Sequence, residues 1–123
     1  MGIVLATIAI VDDDESIRSA LRQLLRSAEF DARTFASAED FLTSPELEQM
    51  DMLIADINLP GMNGVALLRA LAASGRGIPA VLITARDDAG TLELIRRAGP
   101  VPHLRKPFSD DELFDAIAEL LSR

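Results

Sequence analysis

Residues 8–15, with the sequence IAIVDDDE, decide the fold because a short apolar run stops abruptly at a cluster of acids. An apolar run of this length is typical of a buried strand, which we predict over residues 7–11. Carboxylates this close repel one another, since two charges ~4 Å apart interact by about 4 kcal/mol at a surface-like dielectric. The acids must therefore spread into water or surround something positive.

Outward from this stretch, short apolar runs alternate with amphipathic segments. Further strands are predicted over residues 30–35, 51–55, 80–85 and 101–105. Helices are predicted over residues 15–28, from 37 to about 45, over 65–73 and 88–98, and from 109 onward. Strict alternation predicts a parallel sheet covered by helices on both faces. With right-handed crossovers, we predict a flavodoxin-like (βα)5 doubly wound sheet with strand order 2-1-3-4-5.

Helix ends and helix faces can also be read from the pattern. Ser109 and Glu112 have the spacing of a capping box, and Ser37 and Asp40 repeat that spacing before the second helix. Gly99 is placed to end the fourth helix. The positions expected to face the core are Ile17, Ala20, Leu21, Leu24, Leu25 and Ala28 in the first helix, and Leu113, Ile117, Leu120 and Leu121 in the last.

Composition and charge narrow the class of protein. The 123 residues, 49% of them apolar, predict one domain spanning residues 1–123. The formal net charge of −8 disfavours direct binding to nucleic acid or to an anionic membrane. The apolar N-terminus lacks a basic segment and is too short to span a bilayer, and Ala6 does not fit a myristoylation signal. We therefore expect a soluble, cytoplasmic protein.

Polar side chains follow four of the predicted strands where each strand ends. They are Asp12 and Asp13, Asp56 with Asn58, Thr84, and Lys106, which is the only lysine of the chain. Ligands of doubly wound sheets bind beyond the carboxyl ends of the strands, so these groups are predicted to share one cleft. Clustered carboxylates without histidine or cysteine favour Mg²⁺, with oxygen ligands at roughly 2.1 Å. Asp56 is the best candidate for a nucleophile in phosphoryl transfer.

Each of these residues also has an ordinary structural interpretation. Asp14 fits as a helix cap, and Asp56 fits as part of a turn before the Pro-Gly loop. A threonine at the end of a strand, such as Thr84, is unremarkable. Asp12 and Asp13 cannot both be caps, however, and the combination of these groups at matching strand ends favours a functional site.

The segments IVDDD, IADINLPGMNG, VLITA and RKPF occur in this order and together resemble the receiver domain of bacterial two-component response regulators. The resemblance extends from Ile8 to the last helix. Residues 35–42, FASAEDFL, are similar to receivers of the FixJ type, which carry a helix-turn-helix output domain. The family's function would be phosphoryl transfer from a phosphohistidine of a sensor histidine kinase to an aspartate.

The resemblance implies a role for each strand-end residue. Asp56 would be the phosphoacceptor, and the metal, Mg²⁺ or alternatively Mn²⁺, would be held by Asp12 through a water, Asp13, Asp56 and the backbone carbonyl of Asn58. Thr84 and Lys106 would contact phosphoryl oxygens, the peptide bond before Pro107 would be cis, and Asn58 and Arg86 would tune hydrolysis. The protein would catalyse only its own phosphorylation and dephosphorylation. An output domain or partner protein, and a homodimer formed on phosphorylation, are the further partners implied.

Two features depart from the family pattern. His103 stands where receivers have a tyrosine or phenylalanine that moves with the threonine, so it is either an altered switch residue or a strand histidine without a role. Pro100 and Pro102 stand where small residues are usual and should stiffen the loop before the fifth strand.

Three alternatives compete with this interpretation. A pseudo-receiver would keep the fold and act as a binding module without phosphorylation. A phosphatase of the haloacid-dehalogenase class needs a second acid two residues after the nucleophile, where this chain has Asn58. A flavodoxin would carry Ser, Thr and Gly in its first loop, whereas Asp12, Asp13 and Asp14 would repel a phosphate. Whether the chain is a single-domain regulator or a receiver cut from a longer transcription factor stays open.

Overall fold

A computed structural model describes residues 5–122, and in this part of the chain strands and helices alternate strictly. The strands are β1 (Thr7–Val11), β2 (Asp31–Phe35), β3 (Met52–Asp56), β4 (Ala80–Thr84) and β5 (His103–Arg105). The helices are α1 (Glu15–Ser27), α2 (Ala38–Leu42), α3 (Gly64–Ala73), α4 (Ala89–Ala98) and α5 (Asp110–Leu121), with a 3₁₀ turn at Leu47–Gln49. All pairings are parallel and the order is β2-β1-β3-β4-β5, so the predicted topology is confirmed.

The core consists of two apolar layers, one on each face of the sheet. Alternate residues of β1 point to opposite faces, so that Ala9 lies in one layer and Ile8 in the other. Helices α1 and α5 cover the second layer, and α2 and α3 cover the first. Every residue of β3 and of β4 is buried. Charged groups can therefore gather only where these central strands end.

Side chains cap the helices at their amino-terminal ends. The five N-caps are Asp14, Ser37, Asn63, Asp88 and Ser109, and each side chain accepts a hydrogen bond from a backbone N–H of the first turn. The capping box of Ser109 and Glu112 is present as predicted. Gly99 follows α4 with a φ of 74°, a conformation in which a side chain would be strained.

Apart from element ends that shift by one residue, the structure differs from the sequence predictions at four places. Helix α2 ends at Leu42 and not near residue 45. Strand β5 begins at His103 and not at residue 101, because Pro102 has no N–H to donate and contributes only its carbonyl, which accepts from Leu82. Ala20 was expected in the core but is exposed. Leu121 is 47% exposed, because the contact of α5 with the sheet ends at Leu120.

The described helices do not combine the length and the apolar character that crossing a bilayer requires. The prediction that the N-terminal run is not a targeting segment includes residues 1–4, which lie outside the described residues.

Candidate functional site

Three carboxylates meet beyond the carboxyl ends of β1 and β3. The two strands pair in parallel with Val11 opposite Ala55, so the residues that follow lie side by side. Oxygen atoms of Asp12, Asp13 and Asp56 lie within 4.8 Å of one another. Asp12 is completely buried, Asp56 is 8% exposed, and Asp13 is exposed.

The positive group among these acids is Lys106. Its Nζ lies 3.0 Å from Oδ2 of Asp12 and 3.4 Å from Oδ2 of Asp56. The sequence left open whether the acids spread into water or surround a cation, and the structure shows both outcomes. Asp12 and Asp56 face the lysine, whereas Asp13 faces solvent.

Burial and charge act against each other in this group. Burial raises the pKa of Asp12, because desolvation outweighs its hydrogen bonds to the Asp14 N–H and to Lys106. Burial also opposes the charge on Lys106, but the hydrogen bond to Asp12 and the charges of both aspartates prevail, so the pKa of Lys106 is raised. Lys106 is therefore a stable ammonium.

Asp12 and Asp56 are held in the same way. Oδ1 of Asp12 accepts the N–H of Asp14 at 2.9 Å, and Oδ1 of Asp56 accepts the N–H of Asn58 at 2.9 Å. In both residues this leaves Oδ2 to face Lys106. The first loop is further fixed by Arg18, whose guanidinium donates to the carbonyl of Asp12 at 2.7 Å. Arg18 was not among the predicted site residues.

Backbone contacts from β4 and α3 set the positions of Lys106 and Asp56. The N–H of Lys106 donates to the carbonyl of Thr84 at 2.7 Å, and the peptide bond between Lys106 and Pro107 is cis. Gly64 begins α3 so close to β3 that a Cβ at this position would lie 2.4 Å from the carbonyl oxygen of Asp56. Only glycine allows α3 to start this near to the site.

Thr84 and Asn58 are joined by their side chains. The hydroxyl of Thr84 donates to Oδ1 of Asn58 at 2.6 Å, and Nδ2 of Asn58 donates to Oγ1 of Thr91 at 3.0 Å. Thr91 is 1% exposed and lies in the first turn of α4. Thr91 was not among the predicted site residues, because its contact with Asn58 is a tertiary one that leaves no local pattern.

Arg86 and His103 lie outside this group of buried side chains. The side chain of Arg86 is exposed, with its Nε 3.8 Å from Oδ2 of Asp88, while its backbone N–H donates to Oγ1 of Thr84 at 3.0 Å. His103 is exposed at the start of β5, opposite Leu82. The structure therefore brings Asp12, Asp13, Asp56, Asn58, Thr84 and Lys106 together and leaves His103 at the surface.

The donor set fits the predicted magnesium ion. All three acids offer carboxylate oxygens, and histidine and cysteine, which favour softer metals, are not among the clustered side chains. The exposed carboxylate of Asp13 can reach an ion without breaking an interaction with Lys106. The cluster can therefore hold Mg²⁺ or Mn²⁺.

An apolar groove of about 470 Å³ lies between α1 and the loop after β5. It is lined by Ile17, Ala20, Leu21 and Leu24 of α1 and by Phe108, and Lys106 also lines it. One lining residue, Lys106, is therefore the residue whose ammonium contacts Asp56. Ala20 is exposed in this groove, whereas the helical pattern predicted that it faces the core.

The chain is similar to proteins of one family. The family model described as "Response regulator receiver domain" matches residues 8–118. Nodulation protein W of Bradyrhizobium diazoefficiens is 34% identical over 118 residues, which are 96% of this chain and 52% of that protein. The crystal structure of FixJ-N is 33% identical with a TM-score of 0.84, covering 98% of this chain and 97% of that one. The BeF3-activated DrrB receiver domain is 26% identical with a TM-score of 0.82, covering 98% of this chain and all of that one.

This chain thus spans about half the length of nodulation protein W. The match to FixJ-N covers both chains almost completely, so the predicted resemblance to a receiver domain with FixJ-type relatives is confirmed.

Proposed function

This chain belongs to the response regulator receiver domain family, and we propose that Asp56 is the residue that accepts the phosphoryl group. The family supplies the phosphoacceptors of two-component signalling. One observation carries the assignment: the only lysine of the chain bridges Asp56 and Asp12 at the carboxyl edge of the sheet. The alternative of a pseudo-receiver is not favoured, because the acids, the threonine and the lysine are all present.

The transfer uses Asp56 as a nucleophile. A bond forms between one of its carboxylate oxygens and phosphorus, and the bond from phosphorus to the imidazole nitrogen of a phosphohistidine breaks. Lys106 neutralises a phosphoryl oxygen, and the hydroxyl of Thr84 turns from Asn58 to donate to another. In the second half of the cycle, hydrolysis, a water oxygen bonds to phosphorus, the bond from phosphorus to the Asp56 oxygen breaks, and inorganic phosphate leaves. The protein thus catalyses only its own phosphorylation and dephosphorylation and acts on no external substrate.

Asp12, Asp13, Asp56 and the backbone carbonyl of Asn58 would hold Mg²⁺, with Mn²⁺ as a substitute. Bound there, the ion supplies neutralisation of charge on the phosphoryl oxygens. Burial of Asp12 beside Lys106 pre-organises the inner side of the site, and the exposed Asp13 gives the outer side access to solvent. Hydrolysis would be tuned by Asn58 and by Arg86, whose side chain is exposed.

The groove along α1 is where a sensor histidine kinase docks. It is apolar, as a helical partner requires, and it is continuous with Lys106, so a helix lying in it brings a phosphohistidine to Asp56. Ala20→Glu is expected to slow transfer from the fastest donor in a panel of purified sensor kinases by roughly tenfold or more. Labelling by acetyl phosphate should be unchanged.

Gln23→Glu is the matched control for this substitution, because it makes the same charge change on the same helix at an exposed position outside the groove. If Ala20→Glu and Gln23→Glu affect transfer from the kinase equally, the docking site lies elsewhere.

The remaining partner contacts fall on the face formed by α4, β5 and α5. Leu92 is 55% exposed there, and His103 is exposed at the edge of the sheet. This face would carry a homodimer contact formed on phosphorylation, or a contact to an output domain or a partner protein, with His103 as the switch position. The setting is the cytoplasm, and residues 1–123 act as a single receiver domain.

The test of the phosphoacceptor is intact mass spectrometry after incubation with acetyl phosphate and Mg²⁺. A gain of one phosphoryl group is expected in the wild type. The gain should disappear in Asp56→Asn and when a chelator replaces the metal. An unchanged mass with every small-molecule donor and kinase tried would instead favour the pseudo-receiver.

A further inference from the structure

Three polar groups that the transfer does not use connect Thr84 to the first turn of α4. The hydroxyl of Thr84 donates to Oδ1 of Asn58 at 2.6 Å, and Nδ2 of Asn58 donates to Oγ1 of Thr91 at 3.0 Å. Oδ1 of Asp88 accepts the N–H of Thr91 at 2.8 Å. We call this chain of hydrogen bonds the α4 relay.

The direction of the bonds in the α4 relay follows from the groups around Thr84. Oγ1 of Thr84 accepts the N–H of Arg86, and its hydroxyl proton is donated to Asn58. Asn58 accepts with Oδ1 and turns its NH₂ group toward Oγ1 of Thr91. Oδ1 of Asn58 consequently faces Thr84 and takes its only hydroxyl proton. The low pKa of Asp88, caused by the backbone and side-chain hydrogen bonds from Thr91, keeps this carboxylate ionised.

The loop between β4 and α4 closes the relay into a ring. The N–H of Arg86 donates to Oγ1 of Thr84 at 3.0 Å, and the Arg86 guanidinium lies 3.8 Å from Asp88. Thr84 and Thr91 are 2% and 1% exposed, so water does not compete for their hydroxyls. The ring therefore holds the loop and the Thr84 proton in one arrangement.

We propose that Thr91 is a positioning residue that, through Asn58, holds the Thr84 hydroxyl away from Asp56 and so sets how readily the phosphorylated conformation forms. The proposal rests on the proposed function, since it assigns a regulation to that site. A phosphoryl group on Asp56 can take the Thr84 proton only if Asn58 gives it up. When this bond is lost, Asn58 keeps only its bond to Thr91 in the first turn of α4.

The variant that tests this is Thr91→Val, with Thr91→Ser as its matched control. Valine keeps the shape and the backbone N–H that Asp88 accepts, but it removes the acceptor for Asn58. The amide of Asn58 is then no longer held, and the resting arrangement of Thr84 is weakened. Beryllofluoride with Mg²⁺, a mimic of the phosphoryl group, should bind Thr91→Val about fivefold more tightly, the factor that one net hydrogen bond gives. Thr91→Ser should bind it as the wild type does.

The affinities can be measured by calorimetry. Tighter binding by Thr91→Val with wild-type binding by Thr91→Ser supports the proposal. Unchanged or weaker binding by a folded Thr91→Val overturns it.

A second measurement uses the unphosphorylated, metal-free protein and does not depend on Asp56 being the phosphoacceptor. In the wild type, the side-chain NH₂ protons of Asn58 should exchange slowly with solvent by NMR, and in Thr91→Val they should exchange at the rate of an exposed amide. Fast exchange in the wild type overturns the relay even if Thr91→Val fails to fold. If beryllofluoride does not bind the wild type while the exchange pattern is as expected, the proposed function fails and the relay stands.

Discussion

Asp13 differs from the other two clustered acids because its side chain is exposed and does not contact Lys106. Replacing it should therefore change metal binding without changing the fold. For Asp13→Asn we expect Mg²⁺ affinity to fall by about tenfold or more, as loss of a charged ligand requires. The free energy of unfolding without metal should change by less than about 0.5 kcal/mol. Calorimetric titration with Mg²⁺ and urea denaturation measure the two quantities.

The neighbouring Asp14 provides the control for that substitution. Asp14→Asn removes the same charge from the same loop, and asparagine caps α1 as well as aspartate does. Its affinity for Mg²⁺ should fall far less than that of Asp13→Asn. Equal losses in the two variants would mean that Asp13 acts only through the general field of the loop and is not a ligand.

The residues of the site could be predicted where they depend on strand ends alone. Asp12, Asp56 and Lys106 lie at the carboxyl ends of β1, β3 and β5, and a parallel sheet brings such positions to one edge whatever the details of packing. Thr91 could not be found in this way. Its relevance depends on how α4 packs over Asn58, a tertiary contact between residues 33 positions apart that leaves no local pattern.

Helix α3 begins where its backbone nearly touches β3, and this contact fixes the carbonyl of Asp56. A Cβ at Gly64 would lie 2.4 Å from that oxygen, so Gly64→Ala must displace either the helix or Asp56. We expect a loss of about 1–3 kcal/mol in the free energy of unfolding, the usual cost of overpacking, together with weaker beryllofluoride binding. Urea denaturation and calorimetry measure these effects.

Gly77→Ala is the control at this scale, because the nearest atom to a Cβ there is the Cα of Ala72 at 3.9 Å. This variant should be as stable as the wild type or slightly more so. A Gly64→Ala protein that matches it would show that α3 can shift without cost.

Helix α4 carries an ion-pair cluster whose contribution depends on pH. Arg96 and Arg97 both bond Glu93 and lower its pKa to about 2. A lowered pKa stabilises the fold fully above the ordinary value of 4.5, and this contribution is lost as the pH falls toward 2. The difference in free energy of unfolding between the wild type and Glu93→Gln should therefore be largest near pH 6 and shrink below pH 4.5.

Because these side chains are exposed, high salt should reduce the same difference. Urea denaturation of both proteins at several pH values and two salt concentrations measures this difference in the free energy of unfolding. A difference that does not change with pH would assign the effect to helix propensity and not to charge.

Element boundaries were predictable to the extent that local chemistry decides them. The capping box at Ser109 and the end of α4 at Gly99 were confirmed, since both depend on a few adjacent residues. The predicted start of β5 at residue 101 was wrong, because the apolar pattern continues through Pro102, which has no N–H to donate to the sheet. The prediction that Ala20 is buried failed for a different reason. Helical periodicity shows which face of α1 is apolar, but it does not show how much of that face is covered by the rest of the protein.

Across the whole molecule, the fold follows from the strict alternation of strands and helices, and the same topology concentrates charge. A parallel sheet with buried central strands leaves only its ends for polar groups, and three acids meet at one of them. The chain as a whole carries a formal charge of −8. Repulsion between negative charges therefore opposes folding in two ways, through the net charge of the whole chain and through the three clustered acids. A cation should reduce both contributions, and the two reductions can be distinguished by experiment.

Mg²⁺ should accordingly stabilise the protein more than Na⁺ does at equal ionic strength. Monovalent salt only screens the general repulsion. A site present only in the folded state adds about 2.7 kcal/mol when Mg²⁺ is at 100 times its Kd. Urea denaturation in MgCl2 and in NaCl of matched ionic strength separates screening from binding at the site. Excess chelator should remove only the contribution of binding at the site. In Asp13→Asn the advantage of Mg²⁺ over NaCl should shrink, because the site is weakened while screening persists. Equal stabilisation of the wild type by both salts would instead show that the cluster binds no ion.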